Sequence, residues 1–488
     1  MGNNNIKSNI DHEMDQLKND DNIKSNIDSE LIKIINNDKS LKFILDENQN
    51  KKYNLLQRLI LASNNYSIKN YIINNIQKYK NEINYKNNKN WTPLMMACSN
   101  TNTYCNNDIV KILLENGADS HLESSNLSNT LILSCKYMNT SSNIETVKIL
   151  LEYNSNTMDV SNVLYFMCEN NNKKYNINIF KLLLDYGADP NLITSSGINS
   201  LMVACRYSNI EIVRLLLDHK ADPNLINEDG MNSLMIACKY SDIEIVRLLL
   251  DHGANPNLYE NTNMNSLITA CEYNDIDMVQ LLLQYNADPN AQNYNGCTAL
   301  MISCTYPIKT NIDIIKLLLE HGADPNICDD NLNTALLLSY KNIDIVKILL
   351  EYGVDPNIQD DNENTALILY CADLNEDTNI EIFKLLLEYN SNPNIQNKYG
   401  YTALMCICQN DFNPISTEII KLLLNHDKID VNLASYRYDY NASMFLCENQ
   451  IDQMEIAILL IGKTNLEHRN YQNKKIGDIC LPYYKNLF

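Results

Sequence analysis

Fifteen cysteines and seven histidines could supply several zinc centres, or a nucleophile with its base, so their spacing is the first thing to settle. Eleven cysteines (Cys98, Cys135, Cys168, Cys205, Cys238, Cys271, Cys304, Cys371, Cys408, Cys447 and Cys480) each follow by four residues an anchor that recurs about every 33 residues, as in Leu201 to Cys205 and Leu234 to Cys238. Zinc sites draw ligands from close pairs, and a disulfide needs Cα atoms within about 7 Å. Helices stacked one repeat apart would hold such thiols on the order of 10 Å from each other. The spacing therefore predicts a ladder of small, buried, reduced thiols, which fits a reducing compartment. Cys105, Cys297, Cys328 and Cys406 have no metal-ligand spacing either.

The histidines repeat as well. His219, His252, His321 and His426 share one position at the end of an apolar run, and Tyr153, Tyr186, Tyr285, Tyr352 and Tyr389 fill it elsewhere. A catalytic base is not normally copied once per repeat, whereas a helix C-terminus favours an imidazole through its dipole. The sequence has no His-Glu-x-x-His, P-loop, Gly-rich dinucleotide loop or Gly-x-Ser-x-Gly. The chain is expected to have no catalytic residue, no metal and no cofactor.

Chemistry of recognition is more legible than chemistry of reaction. Loops between repeats carry Glu228, Asp229, Glu260, Asp329, Asp330, Asp360, Asp361 and Glu363, which stacking would place along one edge. A solvated acidic face is one reading of them; a docking stripe for a basic partner segment is the other. Tyr294, Tyr399, Tyr401, Tyr436, Tyr438 and Tyr440 form a second set, with Arg437 among the last three in the longest loop, 433–440. Tyrosine and arginine are enriched in binding hot spots. The net charge of -21 argues against a general phosphate-backbone binder.

The elements that position these residues follow from one tripeptide. Asp-Pro-Asn or a close variant returns at Pro190, Pro223, Pro256, Pro289, Pro325, Pro356 and Pro393. Such a period marks a solenoid in which each unit packs on its neighbours. Within one period, Asn199 caps a short helix that runs to Cys205, a break falls at 207–209, and Ile210 to Asp218 forms a second helix. The proline turn then ends it, and an extended excursion leads to the next unit.

This pattern resembles the ankyrin repeat. The family's Thr-Pro-Leu-His start is matched by Thr92-Pro93-Leu94-Met95, Thr298-Ala299-Leu300, Thr334-Ala335-Leu336, Thr365-Ala366-Leu367 and Thr402-Ala403-Leu404, and becomes Asn-Ser-Leu at Asn199, Asn232 and Asn265. Its Gly-Ala-Asp loop stands at Gly187-Ala188-Asp189 and Gly322-Ala323-Asp324, while Asn154, Lys220, Asn286 and Asn390 replace the glycine elsewhere. The resemblance implies an all-α ankyrin-repeat solenoid of about 12–13 helix-turn-helix units with hairpin-like loops, and a non-catalytic scaffold or adaptor for protein partners. The composition further resembles the ankyrin proteins of large DNA viruses that infect amoebae, which would place the protein as an effector in host cytoplasm. Family members can also be substrates of an asparagine hydroxylase; Asn191, Asn224, Asn257, Asn290, Asn326, Asn357, Asn394 and Asn432 occupy the matching place. A ubiquitin-ligase adaptor is the weaker alternative, because the Leu481-Pro482 end lies inside the last unit.

Residues 1–24 are expected to be a disordered polar tail, 25–50 a helical cap, and 51–488 the repeat array. No apolar run approaches a membrane span. A monomer, cytoplasmic, with no nucleic acid and no membrane contact, is the resulting expectation.

Overall fold

The structure, a computed structural model, describes residues 29–37, 41, 53–99, 107–126, 128–136, 142–154, 156–169, 177–240, 242–305, 312–375, 378–409, 414–448 and 454–479. The expected polar tail lies outside them. The chain divides into two compact units, residues 1–228 and 229–488.

Each unit is built from helix pairs. In the first, Leu55–Leu61 pairs with Tyr66–Asn75, Pro93–Ser99 with Asn107–Glu115, Thr130–Lys136 with Ser142–Asn154, Thr157–Glu169 with Ile177–Asp185, and Ser200–Arg206 with Ile210–Asp218. The helix Ser29–Asn37 packs on Tyr66–Asn75, with Leu31 buried. In the second unit the pairs run from Ser233–Tyr240 with Ile243–Asp251 to Ala442–Glu448 with Met454–Ile461, and a single turn, Ile476–Ile479, follows. First helices pack on first helices and second on second. Among the described residues the only strand-like pairings are isolated bridges, Gln292 to Thr298 and Arg469 to Lys475. The fold class is all-α and repeat-built, as the period requires.

Local chemistry explains each boundary. Thr334 and Thr365 cap their helices by accepting the backbone N–H three residues on, at 3.3 Å. Asn199, Asn232 and Asn265 do the same at 2.8–2.9 Å, but their amide nitrogens are buried with no protein hydrogen-bond partner. Asparagine in place of threonine thus keeps the cap and strands a donor, which costs stability. The second helix ends on a left-handed residue: Gly253 and Gly322, but also Lys220 at φ 66°, Asn286 at 61° and Asn390 at 65°. His219, His252 and His321 place Nδ1 at 2.8–2.9 Å from the carbonyl four residues back, so the repeated imidazole closes the helix end.

Asp-Pro-Asn is a staple. The aspartate oxygen accepts the backbone N–H two residues later, as at Asp189 and Asp324. The asparagine then reaches into the next repeat. Asn290 donates to the Gly322 carbonyl at 3.0 Å and accepts from Asp324 N–H at 2.7 Å. Asn191, Asn257, Asn326, Asn357 and Asn394 repeat both bonds. Asn84, which has no proline before it, does so too. Six of the eight amides that a hydroxylase would address (Asn191, Asn257, Asn290, Asn326, Asn357 and Asn394) thus hold neighbouring repeats together.

Two expectations need correction. No loop excursion separates Ser142–Asn154 from Thr157–Glu169, since the next helix begins at Thr157 and has 13 residues against 7 in Ser200–Arg206. The thiol ladder is buried at every described position, and all but one of its described members are free. The exception is Cys447, which is disulfide-bonded.

Candidate partner-binding surface

Loop tips carry the candidate residues, and the backbone decides which side chains they can present. Each tip is a tight hairpin: Asp329 N–H donates to the Asn333 carbonyl, Asp360 to Asn364 and Asn397 to Tyr401. Its first residue needs a side-chain oxygen facing inward. Asp329 accepts the N–H groups of Asn331 and Asn333 at 2.9 and 2.7 Å and the Asn333 amide at 3.2 Å. Asp360 makes the same three bonds with Asn362 and Asn364. Asn397 accepts Tyr399 and Tyr401 N–H at 3.0 and 2.9 Å, and Asn293, Asn87 and Asn470 do likewise with their own tips. Asp329 and Asp360 are each only 8% exposed. They were expected on an outward acidic stripe; the structure places them inside the turn, where an aspartate does the work that asparagine does in neighbouring tips.

The next residue faces out and links to the preceding tip. In the first unit Glu228 N–H donates to the Ser196 carbonyl. In the second, Tyr294 donates to Thr262, Asp330 to Asn295, Asp361 to Asn331, Lys398 to Asn362, Tyr436 to Tyr399 and Tyr471 to Tyr438, at 2.8–3.1 Å. These bonds form a ladder that brings Tyr294, Asp330, Asp361, Lys398, Tyr436 and Tyr471 into one row, one per tip. Asp330, Asp361 and Glu363 are exposed, and among the described residues no ion pair reaches them. Glu228 and Asp229 are exposed at the boundary of the two units, and Glu260 is half-buried with its carboxylate taking the Thr262 hydroxyl. Tyr294 projects alone, 74% exposed.

Beyond Asp361 the row changes character. Tyr399, Tyr401, Phe445, Tyr440, Tyr438 and Tyr471 form a chain of ring contacts with centroids 6.2, 5.3, 5.3, 6.1 and 5.7 Å apart. Such tilted and edge-on pairs add to what burial alone contributes. Lys398 lies 5.3 Å from the Tyr399 ring centre and Arg437 5.2 Å from that of Tyr438. Tyr440 is buried, Tyr401 and Tyr438 are half-buried, and Tyr436 is 66% exposed. The expected tyrosines are thus split: Tyr440 is core, Tyr401 is the brace, and Tyr399, Tyr436 and Tyr438 are surface. Gly400 holds this set in register. Its φ is +80°, and a Cβ there would lie 2.5 Å from the Tyr436 nitrogen.

Reading the sequence alone missed Phe445 and Tyr471, which complete the ring chain. It also missed the exposed Tyr240 and Tyr273, which stand two residues after Cys238 and Cys271 in successive repeats; that fixed offset was the available signal. Burial pushes the ladder thiols Cys238 and Cys271 up to about 12, so they are poor nucleophiles. Among the described residues no group of three His, Cys, Asp or Glu side chains could hold a metal ion, and no helix is long and apolar enough to cross a membrane.

Comparison with known proteins agrees with the geometry. The family model for ankyrin repeats (3 copies) matches in overlapping segments from residue 31 to residue 470: 31–162, 104–193, 131–227, 164–260, 201–293, 253–329, 332–435 and 367–470. Two ankyrin repeat proteins of Acanthamoeba polyphaga mimivirus are similar in part. One is 40% identical over 72 residues, 15% of this chain and 12% of that relative; the other is 36% identical over 75 residues, 14% of this chain and 11% of the relative. The matched stretches thus cover only a small share of either relative's length.

Proposed function

The chain belongs to the ankyrin repeat family, whose members serve as protein-interaction scaffolds, and on that premise we propose that its working surface is the row of loop tips. We infer further that the acidic part of the row takes a basic segment of a partner protein. The observation that carries this is the arrangement of Asp330, Asp361 and Glu363. Their backbones are fixed by the inter-tip ladder, their carboxylates are exposed, and among the described residues no cation neutralises them. Prefixed side chains lose little freedom on binding, and unpaired charge steers an oppositely charged partner. Within the second unit Asp229 and Glu260 have the same sign, and Glu228 does so in the first. Asp329 and Asp360 serve the turn instead. We infer a role as an effector that recruits a host protein in the cytoplasm of an infected amoeba; the likeness to mimivirus ankyrin repeat proteins supports the viral source on which that reading rests.

Binding of a Lys-rich peptide, followed by anisotropy at low and moderate salt, tests the reading. Joint replacement Asp330→Asn and Asp361→Asn should weaken capture about fivefold at low salt and less at high salt. Asp329→Asn should leave it unchanged. Equal effects from the two sets, or none from either, would overturn the assignment.

A further inference from the structure

The row of tips reverses sign at one step, between the tip 360–364 and the tip 397–401. These tips are adjacent: Lys398 N–H donates to the Asn362 carbonyl, and Lys398 Nζ reaches the Asn362 side chain. On one side stand Asp361 and Glu363. On the other, the tips 397–401, 435–440 and 467–475 carry Lys398, Arg437, Arg469, Lys474 and Lys475 against Asp439 and Glu467. Lys475 is paired with Glu467, and Asp439 faces His468. Among the described residues no ion pair reaches Lys398, Arg437 or Lys474. A chain of net charge -21 therefore presents an uncompensated cationic end on the same edge as its carboxylates. That end is paved with the exposed rings of Tyr399, Tyr436 and Tyr471.

We propose that this end is a second docking site, separate from the acidic row, and that its occupant is an acidic peptide segment of a partner protein bearing apolar or aromatic side chains between its carboxylates. Charge complementarity selects the sign. The carboxylates fall on Lys398 and Arg437, and the apolar side chains between them on the exposed Tyr436 and Tyr471 rings. Tyrosine hydroxyls on the rim supply hydrogen-bond donors that a carboxylate accepts. A nucleic-acid strand fits less well. Stacking platforms need open ring faces, and here Lys398 lies over Tyr399 and Arg437 over Tyr438. Asp361 and Glu363 also flank the site and repel a phosphate backbone.

The test uses the full chain and a fluorescein-labelled peptide alternating Glu with Leu and Phe, read by anisotropy. Controls are the same peptide with Lys for Glu and a labelled single-stranded oligothymidylate. The acidic peptide should bind, and Lys398→Glu with Arg437→Glu should weaken it at least about tenfold with an unchanged far-ultraviolet helical signal. Tyr436→Ser should weaken it about threefold. Asp330→Asn with Asp361→Asn, which probes the other site, should leave it as tight or slightly tighter, so that failure of either site is seen separately. No binding of the acidic peptide, binding indifferent to the Lys398 and Arg437 changes, or preferential binding of the oligothymidylate with the same dependence would each overturn the proposal.

Discussion

The tips 329–333 and 360–364, set beside 397–401 and 435–440, are the same device with opposite coats. All four close on a backbone bond to the first residue, turn through a left-handed residue and hang on the preceding tip by one N–H. In the first two the inward oxygen is aspartate and the left-handed residue is Leu332 at φ 61° or Glu363 at 60°. In the third the oxygen is asparagine and the turn is Gly400; in the fourth they are Ser435 and Asp439. Outward, the first pair shows Asp330 and Asp361, the second Lys398, Tyr399, Tyr436 and Arg437. One backbone thus carries either sign, and only the residues next to the turn oxygen decide which partner is drawn. It also separates two kinds of aspartate that composition cannot tell apart.

The sharpest way to break this contrast is Gly400→Ala. The new Cβ meets the Tyr436 backbone and must adopt a left-handed conformation, so a loss of about 3 kcal/mol in urea unfolding is expected. Gly353→Ala has an equally positive φ but nothing within 4 Å and should cost about 1 kcal/mol. Equal losses would mean that Gly400 does not key the aromatic tips together. Next in size, Asp329→Ala should cost about 2 kcal/mol because it strands two turn N–H groups, while its neighbour Asp330→Ala stays within about 0.5 kcal/mol. If Asp330 proved the costlier, the inward and outward assignments would be reversed. Leu332→Gly relieves a left-handed leucine and should stabilise by about 0.5–1 kcal/mol; a loss instead would show that the exposed leucine is packed.

A loss that sets in only above pH 9 concerns the ladder behind both sets. The folded state raises the thiols of Cys238 and Cys271 from 9.0 to about 12 by desolvation. Protonated thiols are thus favoured in the fold, and this contribution is complete below pH 9 and declines as pH rises towards 12. Stability should fall across that window, and Cys238→Ala should flatten the decline relative to its own value at neutral pH. A pH-independent stability would contradict burial.

How much of this was legible in the sequence divides along the same line. The period, the helix pairs, the cap at Asn199 and the buried Cys238 and Cys271 follow from spacing, because every repeat must solve the same packing problem. The strained ends at Lys220 and Asn390 were visible as missing glycines. What could not be read was direction. Asp329 and Asp330 are adjacent and chemically identical, and only the hairpin's need for an inward acceptor sends one in and one out. Asn397 holds the clue, since asparagine at that place in a neighbouring tip is a poor partner for a cation but a good turn former. The ring chain through Phe445 and Tyr471 joins three tips across a helix start, a contact that repeat alignment does not reveal. Cys447 departs from the ladder rule, and its spacing of four residues from Ser443 does not set it apart.

Carbodiimide cross-linking of the full chain to a Lys-rich and, separately, a Glu-rich probe peptide, with the joined residues located by mass spectrometry, tests the central assignment most directly. The account predicts amide bonds from the Lys-rich probe to Asp330, Asp361 and Glu363, and from the Glu-rich probe to Lys398 and Lys474. Cross-links spread instead over the exposed second-helix charges, such as Glu244, Asp277, Lys347 and Glu381, in proportion to their exposure would contradict it.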